Sequence, residues 1–130
     1  MQPTWVSQRA ARHIHAELMA EHGGLVGPAR EGALEAVLAR PQQLLAYTSD
    51  AITLERLAAA YGIALVRGHC YPDGNKRLAL AIMDVFLQLN GLELTASEPD
   101  AVLTLRAVAA GEMEEEDLVR WVQEYSAPAS

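Results

Sequence analysis

Hydrophobic positions recur along most of this chain at helical spacing, and the recurrences break at glycines, prolines or polar clusters. The first predicted helix covers residues 3–22. Pro3 and Thr4 suit its first turn, Val6, Ala10, Ile14 and Leu18 form an apolar stripe at spacing four, and Gly23-Gly24 ends it. A loop through Arg30 leads to a second helix over Glu31–Arg40, with Leu34, Val37 and Leu38 inward. Pro41 should stop that helix, because a proline disfavours helical backbone at the residue before it. Residues 42–50 (QQLLAYTSD) hold no period and read as an ordered loop, either a plain connection or a flap bordering a site.

Asp50 is the expected N-cap of a third helix running to about Arg67, with Leu54, Leu57, Tyr61, Ala64 or Leu65, and Gly68 on its inner face. The fourth helix, about Asn75–Asn90, is apolar nearly all round and should be the buried centre of the fold; Gly91 ends it. Leu92–Thr95 could be a short extended piece. Ser97 caps a fifth helix that stops at Gly111, and a sixth, about Glu114–Tyr125, buries Leu118, Trp121, Val122 and Tyr125. The tail 126–130 should fray. With no repeat and no linker, the expectation is an all-α fold: one domain over residues 1–130, a bundle of about six helices.

Composition agrees with this. Ala and Leu dominate and aromatics are only 5% of the 130 residues, which favours helix over sheet. No apolar run approaches the roughly 18 residues of a membrane span, and the N-terminus lacks the apolar core of a secretion signal. A single cysteine, Cys70, allows no internal disulfide and fits a reducing compartment. A cytoplasmic location without membrane partners is therefore expected.

The net charge of −7 sits almost wholly in residues 98–130, where eight acids face Arg106 and Arg120. Such a chain lacks the basic face that phosphate neutralisation demands, so direct DNA binding is not expected. The acidic run at 112–117 reads as a solvated helix start, with docking of a basic partner as the alternative. His13 and His15 are two residues apart and point to different faces of a helix, so they, like His22, read as surface histidines. Asp84, the one acid in the apolar fourth helix, reads as a solvent-facing or salt-bridged residue.

Chemistry concentrates between Arg67 and Arg77, where a polar, glycine-containing loop runs into a helix N-terminus. Free amides and the helix dipole make such a junction an anion site. His69 can exchange a proton near neutral pH and is the candidate general base. Asp73 offers the hard oxygen that Mg²⁺ prefers. Gly74 lets backbone approach a bound oxyanion, Asn75 opens the helix, and Lys76, Arg77 and Arg67 can neutralise phosphate charge. Together these groups suit phosphoryl or nucleotidyl transfer to a hydroxyl. The same residues also make ordinary turn chemistry, and spacing alone leaves both readings open. Cys70 beside His69 is a conceivable nucleophile, although no acyl-transfer constellation accompanies it.

The stretch His-Cys-Tyr-Pro-Asp-Gly-Asn-Lys-Arg at 69–77 resembles the signature of the Fic/Doc (Fido) superfamily, HPFx(D/E)GN(G/K)R, with Cys70-Tyr71 in place of the common Pro-Phe. AEHGGLVGPAREGALEAVLARPQQ, AAAYGIALVRGHCYPDGNKRLALAIMDVFLQLNGLEL and AVAAGEMEEEDLVRWV, taken in order, resemble the death-on-curing branch. The resemblance implies a compact helical bundle with the motif loop between two central helices. It implies that His69 is the base, that Asp73 holds Mg²⁺, and that Gly74, Asn75, Lys76 and Arg77 bind the phosphates of ATP, with Arg67 as a further phosphate contact. It implies a toxin silenced by a small cognate antitoxin, acting as a kinase on a Ser or Thr hydroxyl of a translation factor such as elongation factor Tu. AMP transfer, the usual Fic reaction, is the alternative. A module acting only through its antitoxin is the non-enzymatic one. Lys76 replaces the second glycine of the Fic signature, and its side chain would take up phosphate space while adding charge. A different nucleotide pose, with transfer of the γ-phosphate, is then the expectation.

Overall fold

Ten consecutive residues, Leu57–Val66, are buried, and the helix that carries them is the axis of the structure. The computed structural model describes residues 1–48 and 50–130. Its elements in order are α1 (Gln8–His22), α2 (Ala33–Tyr47), α3 (Leu54–Gly68), α4 (Asn75–Leu89), β1 (Leu92–Leu94), α5 (Glu98–Ala109), α6 (Glu115–Glu124) and β2 (Ser126–Pro128). This is an all-α bundle with one minimal antiparallel ribbon, as the helical periodicity predicts.

The central role falls to α3, and this corrects the expectation that placed it on the fourth helix. α3 packs against α2, α4, α5 and α6. Its Ala58-Ala59-Ala60, Gly62 and Ala64 are small enough for neighbours to approach from every side. A Cβ at Gly62 would lie 2.5 Å from the Met83 sulfur, so the α3–α4 contact depends on that glycine. α4 buries one broad face (Leu78, Ala79, Ile82, Met83, Phe86 and Leu87) and leaves Leu89 exposed. Each fully buried Leu, Ile or Phe of this core stabilises the fold by about 1.5–3 kcal/mol relative to exposure. Asp84 is structural: Oδ1 accepts the Leu94 N–H at 3.1 Å, tying β1 to α4, and Oδ2 accepts from the Gln88 amide.

Four boundaries differ from the sequence expectations. The first helix begins at Gln8, capped by the Ser7 hydroxyl. Residues before it are not helical: Trp5 stacks on Phe86, Val6 is buried and the Asn90 amide bonds both backbone groups of Thr4. Within α1 the buried line is Ala11, His15 and Met19, one position out of phase with the predicted stripe. The second helix runs through Pro41 to Tyr47, so the predicted loop at 42–47 is helical; Ser49 lies outside the described residues. Pro41 itself is buried, and Leu44 and Leu45 pack on the core beyond it, which offsets the lost helical hydrogen bond. Thr53, whose hydroxyl accepts from Arg56 N, caps α3 in place of Asp50. The tail is ordered as β2, which pairs with β1 in the register Leu92↔Pro128, Glu93↔Ala127, Leu94↔Ser126.

Among the described residues no helix is long and apolar enough to cross a membrane. The fold positions one feature above all. α3 and α4 pack side by side, and the loop joining them, residues 69–74, turns back between their ends at the surface.

Candidate active site

α3 is C-capped by His69, which sits in the left-handed region (φ 44°, ψ 53°) and is the one non-glycine residue with positive φ among those described. That backbone state costs an L-residue about 1–2 kcal/mol and is usually left to glycine at a helix C-terminus. A strained, exposed histidine where glycine is the usual residue makes this a candidate functional position. Its neighbours hold it there. The Arg30 guanidinium donates to the carbonyls of Gly68 and His69 (3.1 Å for the latter), and the Arg30 backbone N–H donates to the Cys70 carbonyl at 2.8 Å. The last carbonyls of α3, which helical geometry leaves unpaired, are thus capped by one side chain.

The loop then closes on itself. The Asn75 amide accepts from the Tyr71 N–H at 3.1 Å and donates to the Tyr71 carbonyl at 2.8 Å. This pins the Asn75 side chain to the turn, leaving its backbone N–H and the second hydrogen of the amide nitrogen for an anion. Gly74, at φ 80°, is the N-cap of α4 and supplies no capping side chain. The first amides of α4 are consequently open toward the loop, as an anion cradle requires. Asp73 Oδ1 accepts the Gly74 N–H at 2.8 Å and Oδ2 accepts the Leu25 N–H at 3.2 Å. These two bonds, first Leu25 and then Gly74, with the nearby Arg77 and Lys76 charges, hold the carboxyl below the usual carboxylate range. It is ionised at neutral pH.

A cleft of about 380 Å³ opens over this loop, and His69, Asp73, Gly74, Lys76, Arg77 and Arg106 are among its lining residues. Six of the seven site residues proposed from sequence therefore meet in one place. Arg67 does not. It lines a neighbouring groove between α2 and α3, about 550 Å³, with its guanidinium 3.9 Å from Glu114 and 3.5 Å from the Met113 carbonyl. Side chains one residue apart on a helix diverge by about 100°, and Gly68 adds a further step before His69. Arg67, expected as a further phosphate contact, thus lies in a different groove from His69.

The donor set suits Mg²⁺ in its nucleotide-bound form. Among the described residues no group of three His, Cys, Asp or Glu could cage a metal. One ionised carboxylate beside an anion cradle is nevertheless what Mg²⁺ uses when substrate phosphates and water complete its shell. Cys70 has no place in the chemistry: it is fully buried, and burial pushes its thiol up, away from the reactive thiolate.

Three residues of the site escaped the sequence reading. Arg30 and Arg106 carry no local pattern, and long-range packing alone brings them to the loop. His15, expected at the surface, is buried and donates from Nε2 to the Asp73 carbonyl at 2.9 Å, its ring stacked on Tyr71 at 3.5 Å between centroids. Its spacing of four from both Ala11 and Met19 was the available signal, hidden because histidine counts as polar.

Comparison with known proteins places the loop within a matched family region. The profile of the Fic/DOC family matches residues 5–87, which include the whole loop. A protein kinase, doc, of Escherichia phage P1 is 37% identical over 100 residues, covering 77% of this chain and 78% of the relative. A toxin, Doc, of Mycolicibacterium smegmatis strain ATCC 700084 / mc(2)155 is 46% identical over 66 residues, half of each chain.

Proposed function

The chain belongs to the Fic/Doc family, and on that premise we propose that it is a Doc-like toxin: a kinase that uses Mg²⁺-ATP to phosphorylate a Ser or Thr hydroxyl of a translation factor resembling elongation factor Tu. Growth arrest would follow from that modification, and a small cognate antitoxin would hold the toxin silent in the cell. The observation that carries this reading is the placement of a strained His69 in one cleft with the ionised Asp73 and the uncapped N-terminus of α4. The kinase activity named for the phage relative and the toxin named for the mycobacterial one supply the reaction class.

In this mechanism the γ-phosphate of ATP lies against the α4 amides of Asn75, Lys76 and Arg77. The imidazole of His69 takes the proton of the target hydroxyl as its oxygen attacks the γ-phosphorus. The bond from that phosphorus to the β-bridging oxygen breaks, and ADP leaves with the electron pair. Lys76 and Arg77, with Arg106 on the opposite wall, stabilise the charge spread over the equatorial oxygens. Asp73 would hold Mg²⁺, which would supply further neutralisation of the phosphate charge. The Lys76 side chain takes space at the phosphate turn, which favours the pose that presents the γ- over the α-phosphate.

Arg67, in the neighbouring groove, is assigned to the nucleotide only if its ion contact with Glu114 gives way on binding. Growth under induced expression tests the reading. Arrest should vanish in both His69→Ala and Asp73→Asn, and arrest that survives both changes sinks it.

A further inference from the structure

His15 is buried to 5% exposure, yet the transfer mechanism makes no use of it. Its Nε2 faces the Asp73 carbonyl, which can only accept, so Nε2 carries the hydrogen and donates. In a trans peptide the C=O and the following N–H point in opposite directions. A carbonyl drawn down to α1 therefore sends the Gly74 N–H up toward the cleft side, and that N–H is the donor to Asp73 Oδ1.

The surroundings reinforce the same peptide. A Cβ on Gly74 would meet the Met19 sulfur at 2.8 Å and His15 Nε2 at 3.3 Å, so α1 forms a close floor beneath the turn. One on Gly24, just past α1, would meet Asp73 Oδ2 at 2.5 Å, the oxygen that accepts from Leu25 N. The end of α1 thus grips the backbone of Asp73 through His15 and its carboxylate through Leu25.

We propose that His15 is a positioning residue: by fixing the Asp73–Gly74 peptide plane it sets both the aim of the Asp73 carboxylate and the entry to the α4 amide cradle. The inference rests on the reading of Asp73 as the Mg²⁺ ligand. Hydrogen-bonded partners behind metal ligands typically change metal affinity by about 10–100-fold when removed.

The test pairs His15→Phe, which keeps the ring and its stack on Tyr71 but loses the donor, with His15→Gln, whose amide nitrogen can donate from the same distance along the side chain. Two readouts are taken: amide hydrogen exchange of Gly74 and Leu25 in the metal-free protein, and the Mg²⁺ concentration for half-maximal binding of a non-hydrolysable ATP analogue. His15→Phe should speed exchange at both amides and raise the Mg²⁺ requirement about tenfold, while His15→Gln stays near wild type in both. Unchanged exchange and Mg²⁺ dependence in His15→Phe overturn the proposal, as does a folded His15→Gln that behaves like His15→Phe. If His15→Phe does not fold, His15→Leu against His15→Gln gives the same comparison. Failure of the wild type to bind Mg²⁺-nucleotide would count against the functional reading alone, because the exchange readout still decides the role of His15.

Discussion

Val37 occupies the space that Gly68 leaves empty: a Cβ at Gly68 would come within 2.6 Å of Val37 Cγ1. The last residue of α3 and the middle of α2 are fitted to each other one residue before the strained His69. Gly68→Ala should therefore destabilise the protein by about 1–3 kcal/mol through overpacking. In a double-mutant cycle with Val37→Ala the two changes should couple favourably, by at least about 0.5 kcal/mol. Denaturant midpoints of the four proteins check this, and strict additivity would show that the two side chains do not compete for that space.

The backbone of His69 leads to a separation of stability from activity. Its left-handed conformation costs an L-residue about 1–2 kcal/mol, against which glycine loses about 0.4–1 kcal/mol through its freer unfolded chain. His69→Gly should match or exceed the wild type in thermal stability, by up to about 1 kcal/mol, while losing all transfer activity. A clear loss of stability would mean that the imidazole contributes to the fold.

Arg30 holds the carbonyls on either side of this residue and should act on rate more than on binding. Arg30→Ala should lower kcat about 10–100-fold through misplacement of the base, with the KM for ATP little changed. Arg30→Lys should not rescue it, since an ammonium cannot bridge two carbonyls as the planar fork does. Steady-state kinetics of the two variants decide the point.

Alkaline pH should weaken the fold. Burial raises the pKa of Cys70, Tyr61 and Tyr71 in the folded chain, and for Tyr61 it outweighs the opposing effect of the Val6 N–H that its hydroxyl accepts. The unfolded chain then loses these protons first, so it binds fewer protons and stability falls as pH rises. The decline should begin near the ordinary cysteine value of about 8.5 and steepen toward the tyrosine value of about 10. Urea midpoints from pH 7 to 10 measure it, and a flat profile would contradict the burial of these groups.

Much of the site was legible in the chain because its parts are contiguous. His69, Asp73 and the α4 start lie within nine residues, and a loop feeding a helix N-terminus has one main geometric outcome. The helix count was legible for a similar reason, since apolar spacing reports local backbone. What sequence hid was set by contacts between distant segments. Pro41 stays helical because Leu44 and Leu45 beyond it reach the core. The N-terminal arm stays out of the first helix where Asn90, 86 residues away, bonds Thr4. His15 and Arg30 join the site across 58 and 39 residues, and no local pattern encodes that meeting.

The central claim, that Lys76 and the α4 cradle present the γ-phosphate of ATP to a base at His69, is tested most directly by single-turnover labelling. The wild-type chain is incubated with Mg²⁺, elongation factor Tu and ATP carrying label at either the γ- or the α-phosphate. The account predicts label on the target from γ-labelled ATP, none from α-labelled ATP, and none from either with His69→Ala. Transfer from α-labelled ATP would contradict it and place the chain with the nucleotidyl transferases.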